Sequence, residues 1–184
     1  MKSEREKMLA GELYFAPDPE LSEMQSKAQA LLHAFNSSHP SAAESRREVI
    51  RSLFGGIGDG FDIRAPFFCD YGSNIFAGDG LFINYDCVIL DCNVVRLGSN
   101  VLLGPKVQIY TAHHPLEPEA RRTLLELASP VHVGDDVWVG GGAIICPGVS
   151  IGAGSTVGAG SVVTRDIPAR VFAAGNPCRV VREL

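Results

Sequence analysis

Two adjacent histidines, in Tyr110-Thr111-Ala112-His113-His114-Pro115, are the side chains of this sequence best suited to moving a proton. Imidazole titrates closest to neutral pH, so it can act as a general base without a large perturbation. Both histidines stand where a six-residue periodicity breaks off. Between His114 and about His132 the segment cannot be threaded as hexads, and it carries prolines at 115, 118 and 130. Long excursions from a regular scaffold commonly hold function. The five cysteines (Cys69, Cys87, Cys92, Cys146 and Cys178) are odd in number and sit in apolar or turn contexts. No CxxC or HExxH spacing suggests a metal motif.

The scaffold that must position these groups is written in the glycines. Leu97, Leu103 and Ile109 are six apart, and so are Val133, Val139, Ile145, Ile151, Val157 and Val163. The two runs share one register, because 133 − 109 is a multiple of six. Glycine follows the aliphatic at 98, 104, 134, 140, 152 and 158. A β-sandwich alternates with period two and has no reason to place glycine in every sixth position. A hexad reads instead as one short strand plus one tight turn, and three hexads close a triangular coil of 18 residues. Stacked coils pair backbone to backbone and bury one another's core. The spacing predicts coils over 77–94, 97–114, 133–150 and 151–168, with a slip of two residues before Leu97.

Residues 1–54 read as helix. Asp18 followed by Pro19 is an N-cap with proline at the first helical position. Leu21, Met24, Ala28, Leu31, Leu32 and Phe35 then form one amphipathic face. Ser41 with Glu44 predicts a capping box for a second helix, and Gly55-Gly56 ends it. The expected organisation is one structural unit: a helical cap over 1–60, and a mainly β solenoid over 61–184 with an excursion loop at 115–132. At 184 residues such a chain can bury a core without disulfides. A net charge of −5 argues against nucleic acid or an anionic membrane as partner. The N-terminus has no signal-peptide core, and no apolar run approaches a membrane span. Free thiols fit a cytoplasmic location.

Four separated motifs carry a closer resemblance. Met8-x-x-Gly11-Glu12-Leu13-Tyr14, Cys69-Asp70-Tyr71-Gly72-x-Asn74-Ile75, Tyr110-Thr111-x-x-His114-Pro115 and Gly175-Asn176-Pro177-x-Arg179 occur in this order. Together they resemble the maltose and galactoside O-acetyltransferases, a family of hexapeptide-repeat acyltransferases, over essentially the whole chain. The resemblance implies a left-handed parallel β-helix, whereas general rules for parallel crossovers favour the opposite hand. It implies direct transfer of acetyl from acetyl-CoA to a sugar hydroxyl, with His114 rather than His113 as the base, no acyl-enzyme on cysteine and no metal. It implies an acceptor site at Asp70, Asn84, Asp91 and Cys92, where the galactoside enzymes have an acid at the position of Cys92. Asp18 resembles a sugar-contacting aspartate but is equally explained as a helix cap. For the acetyl-CoA it implies Gly141, Ala159, Thr164, Arg165, Arg179 and Arg182. It also implies a homotrimer with active sites between subunits. Competing expectations are the same chemistry on a non-sugar acceptor such as serine, an antibiotic or another xenobiotic, a zinc enzyme of the γ-carbonic-anhydrase kind using His113, His114 and His132, and a non-catalytic scaffold.

Overall fold

The computed structural model describes residues 2–184. The chain begins with a short helix, α1 (Glu4–Leu9), closed by a reciprocal capping box between Ser3 and Glu6. A two-residue strand, β1 (Tyr14–Phe15), precedes the long helix α2 (Pro19–Ser37). Asp18 caps α2, its carboxylate accepting from the N–H groups of Glu20 and Leu21 at 2.9 and 3.3 Å. Leu21, Ala28, Leu32 and Phe35 form the buried face expected from their spacing. Helix α3 (Ala43–Leu53) turns Ile50 and Leu53 inward. Its start differs from the expected capping box: the N-cap is Ala42, without a side-chain bond. The Ser41 hydroxyl is instead 2.8 Å from Nδ1 of His39, so it is not at hand to cap the helix.

Five full coils follow, each of three short strands. They are β2 (Gly56–Ile57), β3 (Asp62–Ile63) and β4 (Phe67–Cys69); β5 (Ile75–Ala77), β6 (Phe82–Ile83) and β7 (Cys87–Leu90); and β8 (Val95–Leu97), β9 (Leu102–Leu103) and β10 (Gln108–Tyr110). After the excursion come β13 (Val131–Val133), β14 (Trp138–Val139) and β15 (Ile144–Ile145), then β16 (Ser150–Ile151), β17 (Thr156–Val157) and β18 (Val162–Val163). A hairpin of β19 (Val171–Ala174) and β20 (Arg179–Glu183) closes the end. Strands of successive coils pair in parallel, giving a prism whose first face is β2-β5-β8-β13-β16. The second face runs from β3 to β20, and the third is β4-β7-β10-β15-β18. The aliphatics of the hexads, from Leu97 to Val163, all point into the narrow core. Each such burial contributes on the order of 1.5–3 kcal/mol.

The solenoid starts earlier than the spacing read from the sequence: in its first coil, opening at β2, Ile57, Ile63 and Cys69 keep the six-residue step, but glycine follows only the first of them. The slip of two residues has a structural cause. In the first three coils the pairing step is twenty residues, as from Phe76 to Arg96 and from Val88 to Gln108. In the later coils it is eighteen, as from Trp138 to Thr156. The two additional residues lie at the corner between the third and first faces, so that Cys69 and Ala77, both core positions, are eight apart rather than six.

The excursion folds into β11 (Ala112–His113), a single turn α4 (Pro118–Arg121) and β12 (Leu125–Ala128). Strand β12 lies antiparallel between β11 and β1, so the N-terminal arm and the loop share one small sheet. Buried Asn93 ties them together. Its Nδ2 donates to the carbonyls of Met8, Leu9 and Ala128 at 3.0, 3.3 and 3.1 Å, and its N–H donates to the Thr111 hydroxyl. Among the described residues no helix is long and apolar enough to cross a membrane.

Candidate functional site

His114 follows β11 directly, at the mouth of the excursion, and its side chain is 56% exposed. Nδ1 lies 3.9 Å from Oε1 of Glu126, which stands on β12. The other carboxylate oxygen of Glu126 accepts a 2.8 Å hydrogen bond from the hydroxyl of Tyr14, directly opposite on β1. A carboxylate facing Nδ1 favours the tautomer with its proton there, which leaves Nε2 free to accept another. At 3.9 Å the two groups are adjacent but beyond hydrogen-bond distance, a separation that substrate can close. His113 sits on the exposed side of β11, with Nε2 3.3 Å from the Ser129 hydroxyl.

The polar floor beside this pair comes from the widened corner. Asp70 follows β4, and the thiol of Cys92, which follows β7, donates to Asp70 Oδ2 at 3.4 Å. Burial raises the pKa of Asp70, and the Glu126 carboxylate adds to that, while hydrogen bonds from Cys92 and from Gln25 on α2 oppose it. Burial, with the neighbouring Asp70 carboxylate, holds Cys92 as the neutral thiol. A neutral thiol is a poor nucleophile, so this site does not offer cysteine for an acyl-enzyme.

Asp91, expected at the acceptor, turns inward and is fully buried. Its carboxylate accepts from the N–H groups of Asp70, Tyr71 and Asn74 at 3.1, 2.9 and 3.2 Å. Burial pushes its pKa up to about 7 against the pull of those N–H groups. Its oxygens therefore shape the turn that presents Asp70. Asp18 is likewise engaged as the cap of α2.

The remaining residues separate onto two edges of the prism. Asn84 follows β6, at the corner between the second and third faces, where its Oδ1 accepts from the Tyr85 N–H. Gly141 and Ala159 stack along that same edge, joined by the bond from Gly160 N to Gly141 O. Thr164 and Arg165 follow β18, on the edge that also carries Asp70, Cys92 and His114. Arg179 and Arg182 stand on exposed β20, at the end of the second face. The structure thus brings together His114, Asp70 and Cys92, but does not bring Asn84 or Gly141 to them within one chain. The two turns Gly140-Gly141-Gly142 and Gly158-Ala159-Gly160 carry no side chain larger than methyl, so a pantetheine arm can lie against their backbone. The exposed guanidinium groups on β20 match the planar geometry of phosphate recognition. Among the described residues no cluster of three or more His, Cys, Asp or Glu side chains is arranged to hold a metal. His132 lies on β13 between Arg96 and Ser150, and does not converge with His113 and His114. A recess of about 360 Å³ lies under the α2–α3 pair, lined by Phe35, Arg46, Ile50, Arg64 and Tyr85 among others, and none of the candidate catalytic, acceptor or coenzyme residues lines it.

Glu126 and Gln25 were not singled out in the sequence, and Tyr14 entered only as the last residue of the N-terminal motif, with no role attached. Glu126 lies in the stretch where the hexad register is lost. Only the apolar alternation of Leu125, Leu127 and the facing Tyr14-Phe15 pair hints at the small sheet that joins them.

Residues 7–58 match the maltose acetyltransferase hexapeptide capping motif, and residues 130–165 match the bacterial transferase hexapeptide (six repeats). The chain is 50% identical over 179 residues to nodulation protein L of Rhizobium meliloti (strain 1021), covering 97% of this chain and 98% of that one. A maltose O-acetyltransferase from Clostridium difficile 630 has the same fold with a TM-score of 0.99 at 45% identity, covering 100% of this chain and 98% of that one. A galactoside acetyltransferase in complex with coenzyme A superposes with a TM-score of 0.96 at 38% identity, covering 100% and 92%. The parallel β-helix and the capping segment are shared along the full length with acetyl-CoA-dependent acetyltransferases, and this chain belongs to the maltose/galactoside O-acetyltransferase family of hexapeptide-repeat acetyltransferases.

Proposed function

We propose that this acetyltransferase transfers acetyl from acetyl-CoA to a hydroxyl of a sugar, directly and with His114 as general base. The observation that carries the reading is the exposed imidazole with Glu126 behind Nδ1 and the Asp70–Cys92 pair beside it. Nε2 takes the proton of the acceptor hydroxyl as its oxygen attacks the thioester carbonyl. The C–O bond forms, the C–S bond breaks, and the proton passes from His114 to the departing thiolate. Short polar side chains suit a polyol, since each sugar hydroxyl requires a partner and an unpaired buried polar group is costly. Asp70 is the acceptor-facing carboxylate in this scheme, with Asp91 acting through the turn that holds it.

The working form is a homotrimer with its sites between subunits. Residues for one acceptor (His114 and Asp70, but also Asn84) and for one coenzyme (Arg165, but also Gly141) occupy different edges of the same prism. A second copy supplying the missing edge unites them. Phe68, Leu102 and Trp138, exposed on the second and third faces, offer apolar surface for that contact. The five cysteines are free, as suits a reducing cytoplasm.

The deciding measurement is thiol release from acetyl-CoA with maltose, glucose, a β-galactoside, serine and chloramphenicol as acceptors, for the wild type and His114→Ala. Sugar-dependent release that falls by about 10²–10⁴-fold in the variant is the expected result. Release with serine or chloramphenicol alone would overturn the sugar assignment. Undiminished turnover in His114→Ala would overturn the base.

A further inference from the structure

Tyr14 has no exposed surface, yet its hydroxyl is not idle packing. It faces Glu126 across the antiparallel β1–β12 pair and donates to Oε2 at 2.8 Å. Burial, with the neighbouring Cys92 and Glu126, drives the phenol far above its usual range, so the hydroxyl keeps the proton it donates. The terminal torsion of a glutamate is broad, and nothing intrinsic to Glu126 decides which way its carboxylate turns. One oxygen fixed by Tyr14 sets the direction of the other, and that other faces Nδ1 of His114 at 3.9 Å. A residue needed only to fill this cluster, beside Met8, Leu21 and Cys92, would require no hydroxyl.

We propose that the Tyr14 hydroxyl is a positioning group for the base: it orients Glu126 so that Nδ1 of His114 keeps its proton and Nε2 faces the acceptor. The inference rests on the assignment of His114 as base. It gives the N-terminal arm a task in the reaction, since β1 carries the group that aims the carboxylate. Tyr14 also neighbours Cys92, whose thiol donates to Asp70. The hydroxyl therefore stands between the base and the carboxylate that faces the acceptor.

The ring nitrogens of His114 report the effect directly, without any acceptor. In ¹⁵N-histidine-labelled protein, with His114→Ala providing the assignment, the wild type should show the tautomer protonated at Nδ1. Tyr14→Phe should shift the population toward the tautomer protonated at Nε2, and Glu126→Gln should do the same without disturbing Tyr14. Adding Tyr14→Phe to Glu126→Gln should change nothing further, because the hydroxyl acts through the carboxylate. With maltose as acceptor, Tyr14→Phe should lower kcat by about ten-fold and leave the KM for acetyl-CoA unchanged. Unaltered His114 signals in both single variants, or equal shifts that add in the double variant, would overturn the proposal. If the signals move as expected but His114→Ala retains full activity, the positioning stands and the base assignment falls.

Discussion

Asp70 and Asp91 follow successive strands of the third face and lie close enough for the Asp70 N–H to donate to Asp91, yet burial divides their tasks. Asp70 keeps a side exposed toward the Glu126–His114 pair, while Asp91 is enclosed and holds the turn. A buried carboxyl whose pKa has risen to about 7 binds its proton more tightly in the fold than in the unfolded chain, where an aspartate titrates near ~3.9. The native state then carries the extra proton between these values. The stability due to Asp91 is fully present below about pH 4 and is lost as the pH rises toward 7. Urea midpoints of the wild type and Asp91→Asn at pH 5 and pH 8 test this: the advantage of the wild type should be smaller at pH 8. An advantage that grew with pH would mean the three N–H groups outweigh burial. At this scale the sequence was legible for His114, whose type and place at a broken repeat both point to base chemistry. It was not legible for Glu126 or Tyr14, which are 112 residues apart and meet only through pairing of two short strands. The inward turn of Asp91 continues the alternation of Cys87 and Ile89, both buried, but a carboxylate is seldom expected at an inward position.

The arm, the excursion and the widened corner form one device whose centre is Asn93. Its side-chain N–H groups hold two carbonyls at the end of α1 and one on β12, those of Met8 and Ala128 buried and that of Leu9 partly so. Asn93→Ala should cost about 2–3 kcal/mol, because acceptors shielded from water lose their donor. Hydrogen exchange localises the effect: the amides of β1 and β12 should lose protection while those of β13 to β18 keep theirs. Uniform loss along the chain would show that the arm is not held separately. Helix α2 could be read from its cap and its apolar stripe, which are local signals. The start of α3 could not, because a seemingly regular capping residue is engaged by His39. The small sheet of β1, β12 and β11 escaped notice for a related reason. Its strands are two to four residues long, below the length at which alternation becomes a pattern.

Across the whole molecule, stacking rather than turn conformation explains most of the regular glycines. A Cβ on Gly104 would lie 2.6 Å from the backbone nitrogen of Gly141 in the next coil, whereas one on Gly142, at φ +69°, would meet nothing within 4 Å. Gly104→Ala is therefore expected to cost about 3 kcal/mol, the upper end for overpacking against groups that cannot yield. Gly142→Ala should cost about 1 kcal/mol, the conformational penalty alone. Thermal unfolding of the two variants distinguishes them, and equal losses would make conformation the common cause. The solenoid was legible because each of its layers repeats the same steric demand. Its first coil was overlooked because Ile57, Ile63 and Cys69 keep the six-residue step with only one glycine behind them, and they share their core with α2 and α3. The repeat also has a metric consequence. One further coil of eighteen residues between β15 and β16 would leave His114, Asp70 and Cys92 in place while carrying Ala159, Arg179 and Arg182 about 4.8 Å along the axis. The number of layers beyond His114 is thus a ruler, graduated in single strands, against which the length of the acyl carrier is measured.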